Sequence, residues 1–211
     1  MGILTKTLLG VILAFSLTAC GSAPTASRFA TPDDTMVGQA PPDVWVESFT
    51  VSVPRSLKVN ERNLYYPRGD IVWRGEPRGD RHAQVKAIFE AGLRRATPRV
   101  SGATAVRMDV QVLRFHALSE KARYTVGGVH DIDFRYRLVD IATGQQIGPT
   151  KEVNADLDAL AGQAAMAAEG RGDTQKARIT AHLERVFVEE LTRPGGHVTA
   201  KLGLLQQIND L

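Results

Sequence analysis

Two amphipathic helical stripes enclose a run of alternating segments, and that order limits the folds open to this chain more than any other feature. Val85, Ile88, Phe89 and Leu93 share one helical face in a segment that Asp80 can cap and Pro98 ends. Ile179, Leu183, Val186, Phe187 and Leu191 form a second stripe, stopped by Pro194-Gly195-Gly196. Between them Val106, Met108, Val110 and Val112 alternate with Arg107, Asp109 and Gln111, and Ile132, Phe134, Tyr136 and Leu138 alternate with Asp133, Arg135 and Arg137. A period of two with one apolar face marks antiparallel strands that are wet on one side.

The flanking segments fill in the order. Val44 to Val53 reads as a strand whose apolar phase slips at Glu47-Ser48, which predicts a bulge. Leu64-Tyr65-Tyr66 and Asp70 to Trp73 read as a short hairpin around Arg68-Gly69, and Ala142 to Gln145 as a tight turn returning a strand from Gln146 toward Leu157. Asp158 to Glu169 is Ala-rich and reads as helix or lid. The expected fold is α+β: a mixed, mainly antiparallel sheet of about four to five strands with two long helices packed on one face. The expected domain runs from 44 to 194, with a tail from 195 to 211.

Upstream, Lys6 precedes an apolar run from Leu8 to Leu17 and small residues at Thr18-Ala19. That is the pattern of a secretory leader over residues 1–19, and the run is too short for a membrane span of about 20 residues. Leu17-Thr18-Ala19-Cys20 resembles the bacterial lipobox. The resemblance implies cleavage between Ala19 and Cys20, a diacylglyceryl thioether on Cys20, and a membrane anchor through the lipid. Gly21, where Asp would favour the inner membrane in enteric bacteria, implies an outer-membrane site facing the periplasm. Residues 21 to 42, rich in Ser, Ala, Thr and Pro, then read as a tether.

Cys20 is the sole cysteine, so no intramolecular disulfide is available and a thioether there has no thiolate for catalysis. The 26 Lys and Arg stand against 23 Asp and Glu, interleaved rather than blocked, which excludes a nucleic-acid-binding stripe. The glycines of Glu169 to Ala177 lack the Gly-Lys-Ser/Thr of a phosphate loop, so no nucleotide partner is expected.

The element order behind the lipobox, with Tyr65 and Ile71-Val72-Trp73-Arg74-Gly75-Glu76-Pro77 leading into the first helix, resembles the periplasmic auxiliary lipoproteins of ABC-type and intermembrane transport systems. It is more distantly similar to the lipopolysaccharide-assembly lipoprotein, and also resembles an uncharacterised lipoprotein family of alphaproteobacteria. The first resemblance implies a non-catalytic auxiliary or binding component with an envelope protein partner. A structural envelope lipoprotein bound to the cell wall or to a membrane machine is the alternative, and an envelope hydrolase a third.

Trp45, Tyr65, Tyr66 and Trp73 read first as core packing near the first strand and hairpin. The exposed part of that cluster is the candidate partner or lipid contact, with Tyr65, Tyr66, Trp73, Arg74 and Arg78 as its residues, since Tyr and Trp carry much interface energy and the arginines suit acidic head groups. The five histidines have no pair at helical metal spacing, and no metal, cofactor or catalytic group is expected. His130, Asp131 and Asp133 come nearest to an acid/base or metal site but read as an exposed strand end beside Gly127-Gly128. Asp80 and Asp173, each closing an Arg-Gly-Asp, read as helix caps rather than adhesion motifs.

Overall fold

The structure, a computed structural model, describes residues 40–199. Ala19, Cys20 and most of the expected tether lie outside the described residues, as does the tail from 200. The chain divides into units 1–34 and 35–211, and the fold described here belongs to the second.

The fold is α+β, as the alternation of periods requires. In chain order it runs β1 (Val44–Ser52), β2 (Ile71–Val72), α1 (Arg81–Ala96), β3 (Thr104–His116), α2 (Glu120–Arg123), β4 (Gly128–Asp140), β5 (Gln146–Asn154), β6 (Leu157–Ala159), α3 (Gly162–Gly170) and α4 (Gln175–Thr192). The six strands form four tracks. β3 and β4 are antiparallel and pair from Val106↔Asp140 to His116↔Asp131. β1 runs parallel to β3 up to Ser52↔Gln111, and β2 resumes the same side of β3 at Phe115 and His116. On the far side β5 pairs with β4 as far as Asn154↔Asp133, and β6 resumes at Leu157↔His130. The predicted bulge is present, with register slipping between Val46 and Ser48.

A second slip, between Val112 and Arg114, explains why the period of two fails at the end of β3. Val106, Met108, Val110 and Val112 are buried on the even phase, and the extra residue puts Phe115 into the same core. Helices α1 and α4 cover that face. Phe89 and Phe187 reach Phe134 with ring centroids 5.6 and 5.1 Å away, and Gly92 lets α1 approach Leu183 of α4 closely. Among the described residues every buried apolar core residue lies between Val44 and Leu191.

Among the described residues nothing covers the opposite sheet face, which is polar. Asp109 accepts from Thr50, Arg107 and Arg137, and Arg135 donates to Gln111. The 13-residue β3 spans about 40 Å and so sets two poles. The first holds the start of β1, the β4–β5 turn and the C-terminus of α4, whose Arg193 lines a cavity of about 190 Å³ with Ala40, Pro41 and Pro42. The distal pole holds the end of β3, α2, the start of β4 and the loop of residues 53–70.

Two local expectations change and one open alternative is resolved. Leu64 to Tyr66 make no strand, because Ile71 and Val72 pair instead with the parallel β3 and Ile71 also bridges to Val59, with the Asp70 and Ile71 amides both donating to the Lys58 carbonyl. Asp80 caps α1 by accepting from the Ala83 amide, but α4 is capped by Thr174, whose hydroxyl accepts from the Ala177 amide, one residue beyond Asp173. The Ala-rich segment forms α3, starting at Gly162.

Candidate functional site

The distal pole separates the aromatic candidates into two groups. Trp73 is fully buried, edge-on to Phe115 at 5.7 Å, with its indole N–H donating to Glu76 at 2.9 Å. It is a core residue and not a partner contact, because it packs on Phe115 in the same cluster as Phe89 of α1. Arg74 is likewise engaged: it pairs with Glu120 and donates to the Glu61 carbonyl at 2.6 Å. Arg78 stays outside, reaching Glu61 at 3.2 Å from an exposed position.

Tyr65 and Tyr66 are 41% and 61% exposed, with Leu64 at 43% beside them. Their loop is held out by its own polar groups. The Lys58 amide donates to Asp70 at 2.8 Å, the Ser119 hydroxyl to the Leu64 carbonyl at 2.6 Å, and the Lys121 amide to the Asn63 side chain at 2.8 Å. The Lys121 ammonium sits 4.4 Å over the Tyr65 ring, a cation–π contact. Between the tyrosines and the start of β4 lies a groove of only about 30 Å³, lined by Pro67, Leu118, Gly127 and Val129. Val126, next to Gly127, is 61% exposed.

The glutamates of this pole are already committed, while Asp70 accepts from the Lys58 amide and has no ion pair among the described residues. Glu61 serves Arg78 and Arg81, Glu120 serves Arg74, and Glu76 serves Trp73 and Lys176. Among the described residues Lys58, Arg62, Arg68 and Lys121 have no ion-pair partner.

His130 and Asp131 are buried, at 2% and 7% exposure, which corrects the expectation of an exposed strand end. The cause is the resumed track: β6 covers Gly128 to His130, and α3 and α4 close over it. Burial and the nearby Arg178 and Arg123 push the His130 pKa down to about 3, so it is neutral. It lines a cavity of about 10 Å³, room for one water, into which Gln175 turns an amide with no partner among the described residues.

The two aspartates belong elsewhere. Carboxylate oxygens of Asp131, Asp133 and Asp156 lie within 4.8 Å of one another. Asp156 occupies the break between β5 and β6, where it accepts from the Ile132 amide at 3.0 Å in place of a backbone carbonyl. Sequence offered no signal for it, since nothing in Asn154-Ala155-Asp156-Leu157 marks a broken strand. Three oxygen ligands of this kind suit a hard divalent cation. Here Arg114 pairs with Asp131 at 2.5 Å and Asn154 donates to Asp133 at 3.0 Å, so the group is already bonded internally. Burial, reinforced by Asp131 and Asp156, pushes the Asp133 pKa up to about 6.

Fold and pole together define the class: an α+β domain with, among the described residues, one bare sheet face and an aromatic, basic tip. The chain belongs to the family described as "Family of unknown function (DUF6778)", whose profile matches residues 44–207. No curated protein matches the chain. Among solved structures it is similar to a proposed lipoprotein from Caulobacter crescentus, at 14% identity and a TM-score of 0.30 over 47% of this chain and 74% of that one. It is also similar to a Xanthomonas campestris protein of family DUF330, at 11% identity and a TM-score of 0.34 over 82% and 95%. At these values neither bears on function. No helix among the described residues is long and apolar enough to cross a membrane.

Proposed function

We propose that the chain is a lipoprotein of the bacterial cell envelope, acylated at Cys20, whose folded domain is a non-catalytic auxiliary or binding component of an envelope transport or assembly system. The anchor rests on Leu17-Thr18-Ala19-Cys20 directly after an apolar run. The binding role rests on one observation: Trp73 is packed inside while Leu64, Tyr65 and Tyr66 of the same stretch are held out at the pole opposite Ala40. Chain that leaves the domain at Ala40 toward an anchor thus leaves the contact surface at the other end. Three or more acyl chains at about 0.8 kcal/mol per buried methylene hold such a protein on a bilayer for practical purposes.

Labelled palmitate enters the parent protein and not Cys20→Ser; equal labelling of both refutes the anchor. A photocrosslinking residue at position 66 captures a membrane or protein partner in growing cells, and one at exposed Arg94, far along α1, does not. Equal capture from both positions, or none from position 66, removes the contact surface from the reading.

A further inference from the structure

We infer that the distal pole binds an anionic lipid surface. The inference rests on the reading of Tyr65 and Tyr66 as a contact surface and names what they touch. Three observations carry it. Leu64, Tyr65, Tyr66 and Val126 stand out as apolar and amphipathic knobs, the tyrosines ending in hydroxyls suited to the boundary between headgroups and acyl chains. Lys58, Arg62 and Arg68 belong to the same loop and Lys121 lies over Tyr65. Glu61, Glu76 and Glu120 are taken by Arg74, Arg78, Arg81 and Lys176, which leaves Asp70, bonded to the Lys58 amide, to offset only part of the loop's positive charge.

The third observation is shape. A protein partner anchors on a few large side chains that fill pockets. The groove beside the tyrosines has about 30 Å³, the space of two or three waters, and takes no such side chain. Leu64, Tyr65, Tyr66 and Val126 stand exposed beside it, and an exposed basic and aromatic tip fits a surface that yields around it. A headgroup layer does so, and its negative potential draws in cations within a Debye length of about 10 Å at 0.1 M salt.

The test uses the chain from residue 20 with Cys20→Ser, which keeps every core residue among the described ones and carries no acyl group. It is co-sedimented with vesicles of phosphatidylcholine alone and of phosphatidylcholine with phosphatidylglycerol. Binding is expected only to the anionic vesicles and weakens with salt. Each of Arg68→Gln and Lys121→Gln weakens it about fivefold, the contribution of one basic residue near an anionic surface. Tyr65→Ser with Tyr66→Ser also weakens it, while Arg137→Gln, on the bare sheet face, leaves it unchanged. Melting curves of these surface variants confirm that they fold.

Equal binding to both vesicle types, or no binding to either, overturns the inference, as does insensitivity to Arg68 and Lys121. If the vesicles bind nothing while the photocrosslinker at position 66 captures a protein, the contact surface stands and its lipid partner falls. If both fail, the reading of the pole falls with them.

Discussion

Asp133→Asn should stabilise the domain above pH 6 and leave it nearly unchanged at pH 4. In the folded chain burial, with Asp131 and Asp156 beside it, raises the Asp133 pKa from 3.8 to about 6, against the opposing pull of Arg114 and the Asn154 hydrogen bond. An acid with a raised folded pKa holds its proton more tightly when folded. Its contribution to stability is therefore complete below pH 3.8 and lost as pH rises through about 6. At about 1.4 kcal/mol for each pH unit, the full span is worth ~3 kcal/mol. Solvent screening at this half-exposed side chain reduces that to about 1–2 kcal/mol. Asparagine keeps the oxygen that accepts from Asn154 and removes the charge.

The parent's pH profile alone would not show this. Buried His130 and His182, with pKa values pushed down to about 3 and about 4, lose stability as pH falls below 6.5 and so oppose Asp133 over the same window. Both histidines are common to parent and variant, so the difference between the two profiles isolates the carboxylate. Urea unfolding at a series of pH values measures it. The midpoint should move by about 0.5–1 M in favour of Asp133→Asn at pH 7.5 and converge at pH 4, for a slope of ~1–3 kcal/mol/M. Parallel profiles would refute the account of the cluster.

Other substitutions probe the fold. Phe187→Ala removes the ring that touches both Phe89 and Phe134 in the buried core and should cost about 3–5 kcal/mol in chemical unfolding. Thr174→Ala should cost about 1 kcal/mol through the lost cap of α4, while Asp173→Ala changes thermal stability little; the reverse order would restore Asp173 as the cap. Gly102→Ala places a methyl 2.2 Å from the Val44 amide nitrogen and should destabilise by about 1–3 kcal/mol, read as a lower melting temperature.

The long elements were legible because they repeat one period for many residues. Both helix stripes and the alternation of β4 appear in the sequence as they do in the core. What escaped were features set by a neighbouring strand. Ile71 and Val72 are a strand only because β3 extends past β1, and Trp73 is buried because β2 docks there; the sequence reads Trp73 and Tyr66 alike, core first and contact second, and only the fold separates them. The Asp131–Asp133–Asp156 group was half legible, since two members alternate on β4 while the third comes from a strand break with no local signature. The lack of acidic partners for Lys58, Arg62, Arg68 and Lys121 was invisible, because it depends on which arginines capture Glu61 and Glu120 in space.

The broken outer tracks have a mechanical consequence. Both interruptions fall near one level of the sheet, where Phe115 faces Ile132, so β3 and β4 are the strands that run without a break from pole to pole. β1 lies parallel to β3, with its start at the pole of Ala40. A pull on the chain upstream of β1, resisted by a contact at the distal tip, would draw β1 lengthwise along β3. The hydrogen bonds from Val44 to Ser52 would then share the load in shear instead of opening one after another from an end. A domain held at its tip while tugged from its leash thus meets the force along its stiffest direction.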